Sequence, residues 1–218
     1  MTFSGFPEQA LEFYEGLLAD NSKTYWTAHK AVYETTVRAP MLDLLADLES
    51  EFGTGHIFRP YRDVRFSHDK SPYKDHQGGY VATGDGVGLY AQLSADGLMT
   101  AGGWYSPTPA QVQRYREVVD GPSGAHLQSL VTAAADAGLE IGGDVLATRP
   151  RGTPADHPRV ELLRHRSLTA SQSFEPAPWL HTSHTAQVVR DSWRSMAPLV
   201  RWLADAVGPA DAPPGRRR

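Results

Sequence analysis

The apolar positions in the first quarter of the chain recur at helical spacing. Ala10, Leu11, Tyr14, Leu17 and Leu18 fall on one face of a helix that starts near Phe6-Pro7, where proline suits a first turn. Asp20-Asn21-Ser22 breaks this helix and can cap a second one, whose face is Tyr25, Trp26, His29, Val32 and Tyr33. Pro40 should interrupt or kink that run before Met41, Leu44, Leu45, Leu48 and Phe52 carry the period on to Gly53. The pattern then changes. Residues 57–66 and 78–83 read as extended, and GDGVG at 84–88 as a turn. Leu89, Ala91 and Leu93 alternate with Tyr90, Gln92 and Ser94, and Ala95-Asp96-Gly97 makes a tight connection into Leu98–Trp104. Helical patterns return at about 108–120 and 123–137. A strand-like LEIGGDVLAT follows, then a short helix capped by Asp156, His157 or Pro158 and ending at Leu163. A long amphipathic helix over about 184–206 closes the patterned part of the chain.

Strands in a run between groups of helices predict an α+β fold: an antiparallel β-meander in the middle of the chain, packed by N-terminal and C-terminal helices. No repeat or linker divides it, so residues 1–207 are expected to form a single domain. Residues 208–218 form a Pro/Arg-rich tail read as disordered.

Composition narrows the function classes. The chain has 218 residues, 40% of them hydrophobic, and a chain of that length should bury roughly 70% of its extended surface. It has no cysteine, which removes disulfides, thiolate chemistry and Cys-ligated metal sites. No stretch approaches the ~18 apolar residues of a membrane span, and MTFSGFPEQ lacks the basic-then-apolar layout of a secretion signal. A cytoplasmic location is expected. The net charge of −4 argues against a general nucleic-acid binder.

Local charge runs the other way. Between Arg59 and His76 there are five bases against three acids, most of them in RDVRFSHDKSPYK at 62–74. On an extended segment Arg62, Val64 and Phe66 share one face, with Asp63 and Arg65 on the other. Lys70 and Lys74 can converge there through the turn, with Ser67, Asp69 and Tyr73 adding neutral or acidic partners. Guanidinium forks and ammonium groups suit phosphate or carboxylate, so these eight residues are the candidate ligand site. Arg149 and Arg151 in TRPRG at 148–152 are candidates to close it. The same interleaving of charge also fits an internal salt-bridge network in a structural or partner-binding domain. A third reading is an enzyme handling phosphoryl or carboxylate groups, in which Arg62, Arg65 and Lys70 stabilise negative charge and Asp63 or Asp69 is the nearby base.

Other chemistry is weaker. His56, His68 and His76 stand twelve and eight residues apart, which places no two on adjacent helical turns, and no metal is assigned. Ser67 beside His68 marks no triad, and neither a GxSxG elbow nor a phosphate loop is present. Neither a cofactor nor an oligomeric state is assigned.

Four segments carry a family resemblance: FPEQALEFYEGLLADNSKTYWTAHKAVYE near the start, IFRPYRDVRFSHDKSPYK in the middle, GGWY at 102–105, and RPRGTPADHPRVELLRHRS late on. In this order they resemble the domain-of-unknown-function family DUF 2461. The resemblance implies a single α+β domain of uncharacterised activity and supplies no substrate, cofactor or catalytic residue.

Overall fold

A computed structural model of the chain describes residues 2–65 and 68–210. Three helices come first: α1 (Gln9–Ala19), α2 (Lys23–Val32) and α3 (Ala39–Phe52). Ser22 caps α2 as its sequence foretells, its hydroxyl accepting from the Tyr25 N–H at 3.1 Å. On α1 the buried face includes Phe13, while Leu18 is 57% exposed, one step off the expected stripe. The break expected at Pro40 is a π-helical segment, Tyr33–Arg38, that joins α2 to α3. Proline lacks an N–H, and its ring would clash with the carbonyl four residues back; widening the preceding turn relieves that clash without ending the helix.

The strands are β1 (Gly55–Ile57), β2 (His76–Gly84), β3 (Val87–Ser94), β4 (Gly97–Trp104), β5 (Glu140–Gly142) and β6 (Leu168–Phe174). They form one antiparallel sheet in the order β1-β2-β3-β4-β6-β5, so the expected meander is present and is extended by two later strands. Between β4 and β5 in the chain lie α4 (Pro109–Asp120) and α5 (Gly124–Asp136). After β5 come α6 (Val160–Arg164), β6, a 3₁₀ turn at Pro178–His181 and α7 (His184–Val207). The extended run expected over 57–66 ends at Ile57; the described residues of 58–75 form a loop, closed by an antiparallel bridge between Tyr61 and Tyr73. Phe66, expected as a core anchor of that run, lies outside the described residues.

Two compact units share the chain. The first takes its described residues from 1–81, 90–100 and 173–192. Its core gathers Phe3, Phe6, Phe13, Tyr14, Trp26, Tyr33, Met41, Leu44 and Leu48, all buried. Leu45 of α3 lies over Gly55 of β1 and Gly79 of β2, where an added Cβ would meet its side chain at 2.9 Å. The Tyr33 hydroxyl donates to Gln77 Oε1 at 2.5 Å, and Gln77 Nε2 donates to the Phe58 carbonyl at 2.9 Å, which ties the start of the 58–75 loop to the helices.

The second unit takes its described residues from 82–89, 101–172 and 193–210. Trp104, Tyr115, Leu162, Leu168, Trp193 and Met196 are buried in it. A Thr108–Gln111 capping box starts α4. Residues 208–210, read from sequence as the start of the tail, are held here. Gln111 Nε2 donates to the Gly208 carbonyl at 2.9 Å, and the Ala210 N–H donates to Asp85 Oδ2 at 2.9 Å. Residues 211–218 lie outside the described residues.

Candidate functional site

The loop is built from its base. Pro60 and Pro72 have no N–H to offer, so a two-stranded ladder cannot run through them, but both give carbonyls. The Arg62 N–H donates to the Pro72 carbonyl at 2.9 Å, and the Lys74 N–H to that of Pro60 at 2.8 Å. Asn21 clamps the closure from the helices: its Nδ2 donates to the Tyr73 carbonyl at 3.0 Å, and its Oδ1 accepts from the Tyr73 N–H at 3.1 Å. The Tyr73 ring stacks on Trp26 with centroids 4.2 Å apart and planes 7° from parallel. Tyr73 therefore seats the loop on α2.

Inside the loop the arginines are held by acids. Arg65 grips Asp63 in a fork, Nε to Oδ1 at 2.9 Å and Nη2 to Oδ2 at 2.7 Å, although the Arg65 side chain is 77% exposed. Arg62 Nη1 pairs with Asp69. Lys70 Nζ donates to the Val64 carbonyl at 3.0 Å. Asp63 and Asp69 are both held below the ordinary carboxylate range, Asp63 by hydrogen bonds from the Arg65 side chain and N–H. The Ser71 side chain and N–H, then Arg62, bring Asp69 to about 2. A carboxyl depressed in the fold stabilises it above the ordinary value near 4 and ceases to do so as pH falls through the folded value. The Ser71 amide resonance should accordingly titrate with a midpoint at about 2, and Asp69→Asn should abolish that inflection. A midpoint near 4 would show that the turn does not hold Asp69 as charged.

At the loop base lies a hollow of about 320 Å³, lined by Arg62, Asp63, Lys74, Asp75 and His76. Lys74 Nζ sits 4.9 Å from the Phe58 ring centroid, a cation–π contact. It makes no hydrogen bond or ion pair among the described residues. Its pKa is lowered, first by burial and then by the Arg59 charge. His76 is engaged by Asp75 at 2.7 Å.

The predicted site residues divide. The structure brings Arg62, Asp63 and Lys74 to one hollow and places Arg65, Asp69 and Lys70 in the loop above it. Ser67 lies outside the described residues. Arg149 and Arg151 belong to the second unit and line a cleft there with Arg116. The Lys30 side chain, on α2, is exposed and makes no hydrogen bond or ion pair among the described residues. Phe58 and Asp75 were not singled out by sequence, and His76 was weighed only as a metal ligand, because what gathers them around Lys74 is the Pro60–Lys74 closure. Among the described residues, no three His, Asp or Glu side chains gather as metal ligands. No described helix is long and apolar enough to cross a membrane.

A family model described as a conserved hypothetical protein, DUF2461, matches residues 9–202. The chain belongs to the DUF2461 family. The match takes in the helical start, the loop and its hollow, GGWY and the late arginine segment, so the resemblance read from those four motifs holds. No curated protein and no solved structure matches the chain. Membership in DUF2461 carries no activity with it, and the function has to be argued from the site.

Proposed function

We propose that this DUF2461 protein binds a small phosphate- or carboxylate-bearing ligand in the hollow at the base of the 62–74 loop, with Lys74 as its principal cation. One contrast carries the reading. Arg62 and Arg65 each hold a carboxylate, whereas the half-buried Lys74 ammonium lies over a ring and makes no ion pair among the described residues. A desolvated cation without a counter-charge is costly, and an incoming anion relieves that cost while restoring the lysine pKa. Among the described residues Arg62 uses only Nη1, on Asp69, and keeps donors for the same anion. Binding is favoured over proton abstraction by Asp63 or Asp69, because both have lowered pKa values and make poor bases near neutral pH.

A structural role accounts for the Arg62–Asp69 and Arg65–Asp63 pairs, which hold the loop that frames the hollow. The two roles are separable by experiment. Thermal unfolding in phosphate, sulfate and dicarboxylates should show a rise for the parent and for Arg65→Ala, and none for Lys74→Ala. At a hundredfold excess over Kd the stabilisation is ~2.7 kcal/mol, or roughly 5–11 °C for a chain of this size. If no anion moves the parent, or Lys74→Ala responds as the parent does, the hollow is not the site.

A further inference from the structure

The second unit holds a cleft of about 800 Å³, with one wall from the C-terminal half of α4 and the other from the loop that carries Arg149 and Arg151. We infer that this cleft is a second anion site, independent of the 62–74 hollow, and that it takes a diphosphate-bearing small molecule of about nucleotide size. Its three guanidinium groups differ from those of the 62–74 loop, because none is paired with an acid among the described residues. Arg149 Nε donates to the Thr153 carbonyl at 3.0 Å, and Arg116 Nε to the Leu163 carbonyl at 3.3 Å. Arg151 makes no hydrogen bond or ion pair among the described residues. Arg116 Nη2 is enclosed and has no hydrogen-bond partner among the described residues.

The two carboxylates that line the cleft, Asp120 and Glu117, each accept a hydrogen bond from within the protein. The Arg159 N–H donates to His157 Nδ1 at 3.1 Å, which fixes the imidazole with its proton on Nε2. That Nε2–H faces Asp120 Oδ1 at 3.2 Å. Glu117 Oε1 accepts from Gln113 Nε2 at 2.9 Å. The last carbonyls of α4, whose partial negative charge would repel an anion, are covered by Arg159: Nε donates to Val119 at 2.7 Å, and Nη2 to Asp120 at 2.9 Å and Gly121 at 3.2 Å.

Three guanidinium groups exceed what one monoanionic group can use, and planar forks bind phosphate oxygens in pairs, which points to two adjoining phosphates. Leu146, Pro150, Pro154 and Leu163 line the rest of the cleft and offer an apolar surface for an organic body. The volume lies within the ~300–1,000 Å³ usual for small-molecule sites.

Calorimetric titration of the full chain with pyrophosphate, and then with a nucleoside diphosphate, tests this. Lys74→Ala should lose any binding at the 62–74 hollow and keep the cleft's affinity for both probes. The double variant Arg149→Ala/Arg151→Ala, whose changes fall on an exposed loop, should bind each about tenfold more weakly per guanidinium removed. The nucleoside diphosphate should bind at least as tightly as pyrophosphate. No binding of either probe to the parent, or equal binding by the double variant, overturns the inference. So does loss of binding in Lys74→Ala with the double variant unaffected, which would move the anion to the 62–74 hollow and leave the proposed function standing.

Discussion

Trp26→Ala is expected to cost about 3–5 kcal/mol, as removal of a fully packed indole usually does. For a chain of this size the unfolding midpoint should fall by roughly 6–20 °C. Trp26 is 4% exposed. Its ring lies 4.2 Å from Tyr73, 4.8 Å from Tyr33 and 5.8 Å from Phe13, so it fills the place where α1, α2 and the loop base meet. The indole Nε1 is enclosed and has no hydrogen-bond partner among the described residues. The energy therefore lies in packing, and Trp26→Phe, which sacrifices no hydrogen bond, should cost well under half as much. The functional consequence follows from Tyr73, which stacks on Trp26 and also closes the loop that positions Lys74. Trp26→Ala should lose the thermal response to phosphate together with stability, whereas Trp26→Phe should keep most of both. If Trp26→Ala is destabilised yet responds to phosphate as the parent does, the loop base is held by the Asn21 clamp and the Tyr61–Tyr73 bridge without the stack.

Much of this arrangement could be read from residue order, and the rest failed for identifiable reasons. Helix faces such as Ala10, Leu11, Tyr14 and Leu17 are local periodicities, and the Ser22 cap is a local hydrogen bond, so both were legible. The strand β6, LTASQSF, was missed because its small and polar residues have weak strand preference; its place between β4 and β5 is decided by neighbours distant in the chain. The alternation of Arg62, Val64 and Phe66 imitates a strand, but Pro60 and Pro72 at its base turn it into a closed loop. Asp63 beside Arg65 was legible as a pair, since two residues of separation suffice for the fork. That Arg149 and Arg151 share a cleft with Arg116 was not. Arg116 follows Tyr115, whose buried hydroxyl donates to the Leu162 carbonyl at 3.0 Å, and that bond brings α4 against α6, which follows the segment that carries Arg149 and Arg151.

Gly103→Ala should be among the most damaging single-methyl additions to the chain, and Gly102→Ala a mild one, although the two glycines are adjacent in GGWY. Gly103 has φ +149°, a conformation that side-chain-bearing residues rarely adopt. A Cβ there would come 2.3 Å from the Leu168 carbonyl oxygen and 2.7 Å from Thr169 Cα, both backbone atoms of β6. Neither can withdraw without moving the strand. The backbone strain is about 1–3 kcal/mol, and the overlap adds a further ~1–3 kcal/mol. At Gly102 the nearest atoms are Val200 Cγ2 at 2.9 Å, Leu89 Cδ2 at 3.0 Å and Met196 Cβ at 3.1 Å. The first two are side-chain tips that can shift by a few tenths of an ångström, so the cost should stay near ~1 kcal/mol, the lower end for overpacking. Damage at Gly103 should also reach the cleft. Trp104, the next residue, lies 5.4 Å from Tyr115, and Tyr115 holds Leu162 beside the Leu163 carbonyl that receives Arg116. Gly103→Ala should therefore lower both the unfolding midpoint and the affinity for pyrophosphate, while Gly102→Ala keeps the affinity. Equal midpoints for the two variants would mean that β4 and β6 do not approach this closely at Gly103, and the route from strand to cleft would lose its first link.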